Sequence, residues 1–278
     1  MPGRGLVISN GEFGERLLDH ARRWGLEFIE YRLAWGGSLD IASINKFLSA
    51  NPKVHWLWTV ACETSTGICN PCEKLADYCQ AHQIAFCLDA VSAIGATPLH
   101  LDRVLFASGV SGKALGAYPG IACVFYNGPL LLTTNNLPRA IDLSLYQDGK
   151  SIPFTLSSNL LAALWAALTH TDWQEKHARI IRVAARLRQQ LKERSITLLD
   201  QTEDAATAVI TVVLPTAING VALCQALRHN GYILAGESSY LQKRNWIQIC
   251  LFGEFDDGAL DALPDVMKKQ MEKCQQYV

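Results

Sequence analysis

VISNGEFGERLLDHARRWG, Val7 to Gly25, decides how the rest of the chain is read. The apolar run before Asn10-Gly11, the aromatic Phe13, Gly14 and the amphipathic tail predict a strand that turns sharply into a helix. The same alternation continues outward from it. FIEYRLA (28–34) leads to DIASINKFLSAN (40–51), VHWLWTVA (54–61) leads through a loop to PCEKLADYCQAHQ (71–83), and IAFCLDAVSA (84–93) follows. This order implies βαβ units, and with them an α/β fold whose mainly parallel sheet carries helices on its faces. Ligands on such sheets collect beyond the carboxyl ends of strands. Those ends are here SNGEF (9–13), ACETSTG (61–67) and DAVSAIG (89–95).

In VLFASGVSGKALGAYPGIACVFYN (104–127) two hydrophobic segments flank glycine and proline, and a polar loop follows near TTNNLPR (133–139). One long helical stretch is expected from about Ser157 to Arg194. The tail alternates ATAVITVVLP (206–215), GVALCQALRHNG (220–231), YILAGE (232–237), NWIQICLF (245–252) and a final amphipathic helix. The expected division is a large domain over 1–155, connecting helices over 156–195 and a small C-terminal α+β domain over 196–278.

With 278 residues, 49% of them hydrophobic and 18% charged, the chain can bury a large core. A formal net charge of -1 gives no field for drawing in nucleic acid or an acidic membrane surface. No run approaches the ~20 apolar residues that span a bilayer, and no apolar signal core follows the basic start, so the expected location is cytoplasmic. Nine cysteines, an odd number, argue for thiols over a disulfide framework. Cys69 and Cys72 form a lone C-x-x-C. No second pair follows, His82 is poorly spaced for zinc, and Asn70-Pro71 is better read as a helix start; no metal is expected.

The polar residues that this architecture gathers suggest chemistry. Asp89 closes an apolar run, so its carboxylate stands at a strand's carboxyl end. Lys113 lies in SGVSGKALGAYPG (108–120), where glycines let backbone approach a ligand and crowd the amine little. With the Phe13 ring and the Thr64 hydroxyl they suit a flat, anionic, pyridine-like cofactor, and pyridoxal phosphate fits. Taken singly, a strand-end Asp is often a helix cap and a Gly-flanked Lys a solvated loop residue. Their order along the chain separates the two readings.

The motifs NGEFGERLLDHARRWG, ACETSTGICNP, LDAVSAIGATPL and SGVSGKALGAYPGIACV, in that order, resemble the class V aminotransferases. These are pyridoxal-phosphate enzymes of fold-type I, a group that includes alanine:glyoxylate and 2-aminoethylphosphonate transaminases and the cysteine desulfurases. IPFTLSSNLLAALWAAL (152–168) resembles the stretch that crosses that family's dimer interface. The resemblance implies that Lys113 forms the Schiff base and moves protons, Asp89 keeps the pyridine nitrogen protonated, Phe13 stacks on the ring and Thr64 bonds near the phenolic oxygen. Ser111 is counted among the cofactor contacts. Thr155 is expected to reach the phosphate of the neighbouring subunit's cofactor, which implies a homodimer. The implied reaction is amino transfer, or a related lyase step, between a small amine or amino acid and a 2-oxo acid or aldehyde.

Three departures accompany the resemblance. The family places an N-terminal arm and a glycine-rich helix N-terminus for the phosphate ahead of the opening turn, so this anchor is expected to come from the dimer mate or from a separate polypeptide. The residue before the lysine is Gly112, where the family often has a polar side chain. Gln248 stands where the family has the arginine that forks onto a substrate carboxylate, and an amide cannot supply that paired interaction; Arg244, nearby in sequence, is the second candidate for substrate contact. The alternatives to an active enzyme are a subunit of a split enzyme and a cofactor-free relative that serves as a binding or scaffolding module.

Overall fold

The computed structural model describes residues 3–128, 130, 137–199 and 204–275. Strand β1 (Gly5–Ser9) ends at Asn10-Gly11, and helix α1 (Glu12–Arg23) begins at once. Alternation along β1 settles its place in the fold. Leu6 and Ile8 enter one apolar cluster with Leu57, Phe86 and Leu88, while Val7 enters another with Leu17, Leu18 and Ala21 of α1. A strand covered on both faces lies inside its sheet.

The chain continues through β2 (Phe28–Arg32), α2 (Ile41–Ala50), β3 (Trp56–Val60), the short hairpin strands β4 (Cys62–Glu63) and β5 (Ile68–Cys69), α3 (Cys72–Ala81), β6 (Ala85–Asp89), β7 (Phe106–Val110) and β8 (Ala122–Tyr126). One sheet runs in the order β2-β1-β3-β6-β7-β8, parallel from β2 to β7 and antiparallel between β7 and β8. Local chemistry starts its helices. The Asp40 carboxylate accepts the amides of Ala42 and Ser43 at the head of α2, and α3 opens directly after Asn70-Pro71. The register sets Val60, Asp89 and Ser108 side by side on β3, β6 and β7. The loops after these strands and after β1 therefore open at one edge.

Beyond the sheet come α4 (Leu143–Asp148), α5 (Ser158–His170), α6 (Trp173–Glu193), β9 (Val209–Val213), α7 (Gly220–His229), α8 (Ser239–Arg244), β10 (Trp246–Cys250) and α9 (Asp257–Gln275). Here the structure corrects two expectations. Residues 157–194 are not one helix: Thr171 is extended, and Asp172 accepts the Glu175 amide on its side chain, so a new cap restarts the chain as α6. YILAGE is not a strand. Only Ala235 exchanges backbone bonds with Gln248 before the chain turns into α8. Strands β9 and β10 pair antiparallel, and Ile180, Leu187, Leu223, Ile247 and Met267 form the core beneath them. Residues 133–136 of the polar loop lie outside the described residues. Among the described residues, no helix is long and apolar enough to cross a membrane.

Helix α1 has Gly11 at its N-cap and no capping side chain of its own. Its first amides are satisfied from across the fold. Glu63, fully buried on β4, accepts from Gly14 N at 2.8 Å and Phe13 N at 3.3 Å. The Ser65 hydroxyl donates to the same carboxylate at 2.5 Å and accepts the Glu12 amide at 2.9 Å. A carboxylate at the positive end of a helix is stabilised by these N–H groups and by the dipole. Burial outweighs them and pushes the Glu63 pKa above the usual carboxylate range.

A folded-state pKa raised above the unfolded one means that folding favours the protonated acid. Its contribution is full below the unfolded carboxylate value and is lost as pH rises through the folded one. Urea titrations should therefore show the stability margin of the natural protein over Glu63→Gln shrinking as pH rises through and above the ordinary carboxylate range. A margin that widens with pH would mean that the amide bonds dominate instead.

Candidate active site

Four of the residues singled out in the sequence meet at the carboxyl edge of the sheet. Lys113 follows β7, and its amine donates to the Ser92 hydroxyl at 2.7 Å. Ser92 lies 3.4 Å from the Thr64 hydroxyl. Asp89 Oδ1 accepts from the Val91 amide at 3.0 Å and from the Ser108 hydroxyl at 3.1 Å. The Phe13 ring lies under the Lys113 amine, 5.5 Å from ring centre to nitrogen, and the Arg16 guanidinium sits 5.0 Å from the same ring.

Close backbone packing fixes this arrangement. Gly95 has φ +80, and a Cβ there would stand 2.7 Å from the Ala114 carbonyl; at Gly112 a Cβ would stand 2.6 Å from Pro119 Cα. The loops that carry Ser92 and Lys113 thus interlock. Lys176 of α6 adds a bond of 2.5 Å to the Ala114 carbonyl. Ser111 belongs to this scaffolding: its hydroxyl donates to Tyr118 O at 2.7 Å and accepts from Ile121 N at 3.1 Å. Both bonds fold its own loop.

Burial lowers the Lys113 pKa below the ordinary lysine value, against the Asp89 carboxylate, which acts to raise it. The thiols of Cys62 and Cys250 also act to raise it, and Arg16 acts to lower it. All nine cysteines stand as thiols, and among the described residues no group of His, Cys, Asp and Glu could hold a metal.

The remaining candidates lie elsewhere. Gln248 on β10 is 3% exposed, and its amide donates to Thr64 O at 2.5 Å and to Thr211 Oγ1 at 2.9 Å. Both amide hydrogens are spent on the protein, and neither is left for a substrate carboxylate. The Arg244 guanidinium lies 3.2 Å from the Trp35 ring centre and 5.6 Å from that of Trp246, with one long bond to Tyr240 O. Tyr240 meets the edge of Phe13 at 6.2 Å, so Arg244 belongs to an aromatic wall beside the Lys113 group. Thr155 is exposed in the segment before α5 and shares no hydrogen bond with that group. Ser92, Glu63, Trp35 and Tyr240 were not singled out from the sequence. Ser92 and Glu63 had a local signal, Ser92 three residues after Asp89 in LDAVSAIG and Glu63 at the head of ETSTG.

Comparison with known proteins bears on the family and the fold. Residues 4–131 match the family model of aminotransferase class-V. A 2-aminoethylphosphonate–pyruvate transaminase of Pseudomonas putida (strain W619) is 29% identical over 174 residues, 60% of this chain and 47% of the relative. One from Aeromonas hydrophila is 30% identical over 176 residues, 60% of this chain and 46% of the relative. The chain spans about half the length of the curated relatives it matches. Among solved structures, alanine–glyoxylate aminotransferase from Nostoc sp. superposes with a TM-score of 0.84 at 22% identity, over 97% of this chain and 75% of the other. Pyridoxamine-pyruvate aminotransferase from Mesorhizobium loti gives a TM-score of 0.84 at 19% identity, over 97% and 73%. The resemblance to the class V aminotransferases is thus present in sequence over residues 4–131, and nearly the whole chain has the fold-type I architecture of those enzymes.

Proposed function

We propose that the chain acts in a pyridoxal-phosphate-dependent aminotransferase of class V, with a small amine or amino acid as donor and a 2-oxo acid or aldehyde as acceptor. The observation that carries this is the half-buried Lys113 amine, held by Ser92 above the face of Phe13, in the same loop cluster as a carboxylate. The residues fit such a cofactor. Asp89 Oδ1 takes both protein donors, and Oδ2 takes none among the described residues, which leaves an oxygen for a protonated ring nitrogen. When bound, the cofactor supplies an electron sink for bond breaking at the amine-bearing carbon. Lys113, whose burial favours the neutral amine, takes and returns the proton at that carbon. Thr64 would offer its hydroxyl to the cofactor, and Phe13 would supply an aromatic face for its ring. Arg244 is the better placed of the two candidate substrate contacts, because its guanidinium has no carboxylate partner among the described residues.

The same proposal covers assembly and setting. Helix α5 reads LLAALWAAL, yet buries none of its residues; Trp165 is 66% exposed, and Phe154, Leu156 and Leu168 are exposed with it. An apolar face of this kind marks an interface, and a second copy of the chain is the proposed occupant. The phosphate would be met by the partner subunit's Thr155 or by a separate polypeptide, since the first amides of α1 are held by Glu63 and Ser65. The domain limits 1–155, 156–195 and 196–278 belong to this reading. Nine thiols suit a reducing, cytoplasmic setting.

Borohydride reduction in the presence of pyridoxal phosphate, followed by peptide mapping, is expected to label Lys113. Lys113→Ala should lose the label and at least about 100-fold of any transaminase turnover. A label confined to another lysine would overturn the assignment. Light scattering at low micromolar concentration is expected to show a dimer, and Trp165→Glu to shift it toward the monomer. A natural chain that stays monomeric would remove the shared-site element.

A further inference from the structure

We infer that Gln248 is a positioning residue of the candidate site: from the C-terminal sheet it holds Thr64 in place, and through Thr64 the line of hydroxyls that reaches the Lys113 amine. The inference rests on the proposed role of Lys113. It assigns Gln248 an inward structural task where the resemblance implied a substrate contact.

The geometry is closed at every link. The Gln248 backbone is fixed on both sides, opposite Thr211 on β9 and bonded to Ala235 by a pair of bonds of 2.7 and 3.0 Å. Its amide hydrogens go to Thr211 Oγ1 and to the Thr64 carbonyl, 184 residues away in sequence. A carbonyl at this depth without a donor is costly, so the bond is a real constraint on where Thr64 sits. Thr64 Oγ1 then lies 3.4 Å from Ser92 Oγ, which accepts from the Lys113 amine at 2.7 Å. A hydroxyl has one proton to give. While Ser92 accepts from the lysine, its own proton turns toward Thr64; when the amine is neutral, the line can run the other way. The position of Thr64 is therefore felt at the amine in both protonation states.

The charged and titratable groups that act on Lys113 from the elements around it are Asp89 on β6, Cys62 on β4, Cys250 on β10 and Arg16 on α1. None of these is altered by substitution at Gln248. A change at the amine would thus report the hydroxyl line. Loosening Thr64 admits water, and water favours the ammonium form.

The test follows the pH dependence of Lys113 acetylation by acetic anhydride, read by peptide mapping on the full chain before cofactor is added. Four proteins are compared: the natural chain, Gln248→Met, Ser92→Ala and the double variant. Methionine keeps the volume and removes both donors. It is expected to raise the Lys113 midpoint by about half a pH unit or more. In the Ser92→Ala background the same change should move the midpoint by less than about a third of that, while the melting temperature falls by the same amount in both backgrounds. An unchanged midpoint with a lowered melting temperature would reduce Gln248 to a structural role, and an equal shift in both backgrounds would show that it acts by another route; either overturns the inference. If Gln248→Met does not fold, Gln248→Leu gives the same comparison, since it also removes both donors and adds no charge. Acetylation needs no cofactor. The expected cycle with no borohydride label on Lys113 would sink the proposed function alone, and the label without the cycle would sink this inference alone.

Discussion

Glu63 is the residue on which the site depends, because its buried carboxylate is the point where the opening helix is fastened to the middle of the sheet. The amides of Phe13 and Gly14 end on it, and Ser65 extends the contact to the Glu12 amide. Hydrogen bonds to a charged group are worth ~1.5 to 3 kcal/mol each, and the effective cost of burying one ion is several kcal/mol. The two terms are comparable, so the cap adds little net stability. What it fixes is direction. With its first turn anchored there, α1 can present Phe13 only toward the Lys113 loop, and Thr64, the next residue after Glu63, is carried to the Ser92 side.

The hairpin that holds Glu63 is tied again at its far end. Cys69 N bonds Asp204 O and Ala206 N bonds Gly67 O, both at 2.8 Å, so the hairpin continues into the β9 segment. A Cβ on Gly67 would stand 3.1 Å from Thr211 Oγ1, and this glycine has φ +81. Close approach at Gly67 and the Gln248 amide at Thr64 are two ends of one seam. The seam joins the C-terminal sheet to the edge where Thr64, Ser92 and Lys113 lie. Lys113 is held by contacts of another kind: loops interlocked through Gly95 and Gly112, and the Lys176 bond to Ala114 O.

What could be read from the sequence follows the range of the interactions. The alternation and the Asn10-Gly11 turn at 7–25, the Asp40 cap and the helix after Asn70-Pro71 are set by neighbours within a few residues, and local pattern exposes them, whereas the partners of the first α1 amides lie about 50 residues away. Asp89 and Lys113 were legible because a parallel sheet brings strand ends to one edge whatever the loops do. The break at Thr171-Asp172 was hidden by a continuous helical pattern, although Asp172 is an ordinary cap. The loop-closing bonds of Ser111, to Tyr118 O and from Ile121 N, join residues seven and ten positions away and leave no periodic trace in the sequence. The partners of Glu63 and Gln248 are about 50 and 184 residues distant, and no local pattern records such contacts.

The surroundings of Gln248 suit an amide and not a cation. A neutral amide can be buried against a carbonyl and a hydroxyl with both donors satisfied and no ion left in the core. A guanidinium at the same depth would bring a charge that needs an anion beside it, and the groups within reach of Gln248 are the Thr64 carbonyl and the Thr211 hydroxyl. The environment is therefore built for the amide. The two guanidiniums near the site lie on aromatic rings instead. The Arg244 guanidinium lies over the Trp35 ring, and that of Arg16 over Phe13, where it also pairs with Glu12. Stacking on an aromatic face orients a guanidinium without consuming its N–H donors. Among the described residues Arg244 has one long bond, to Tyr240 O, while Arg16 is shared with the Glu12 carboxylate at the surface.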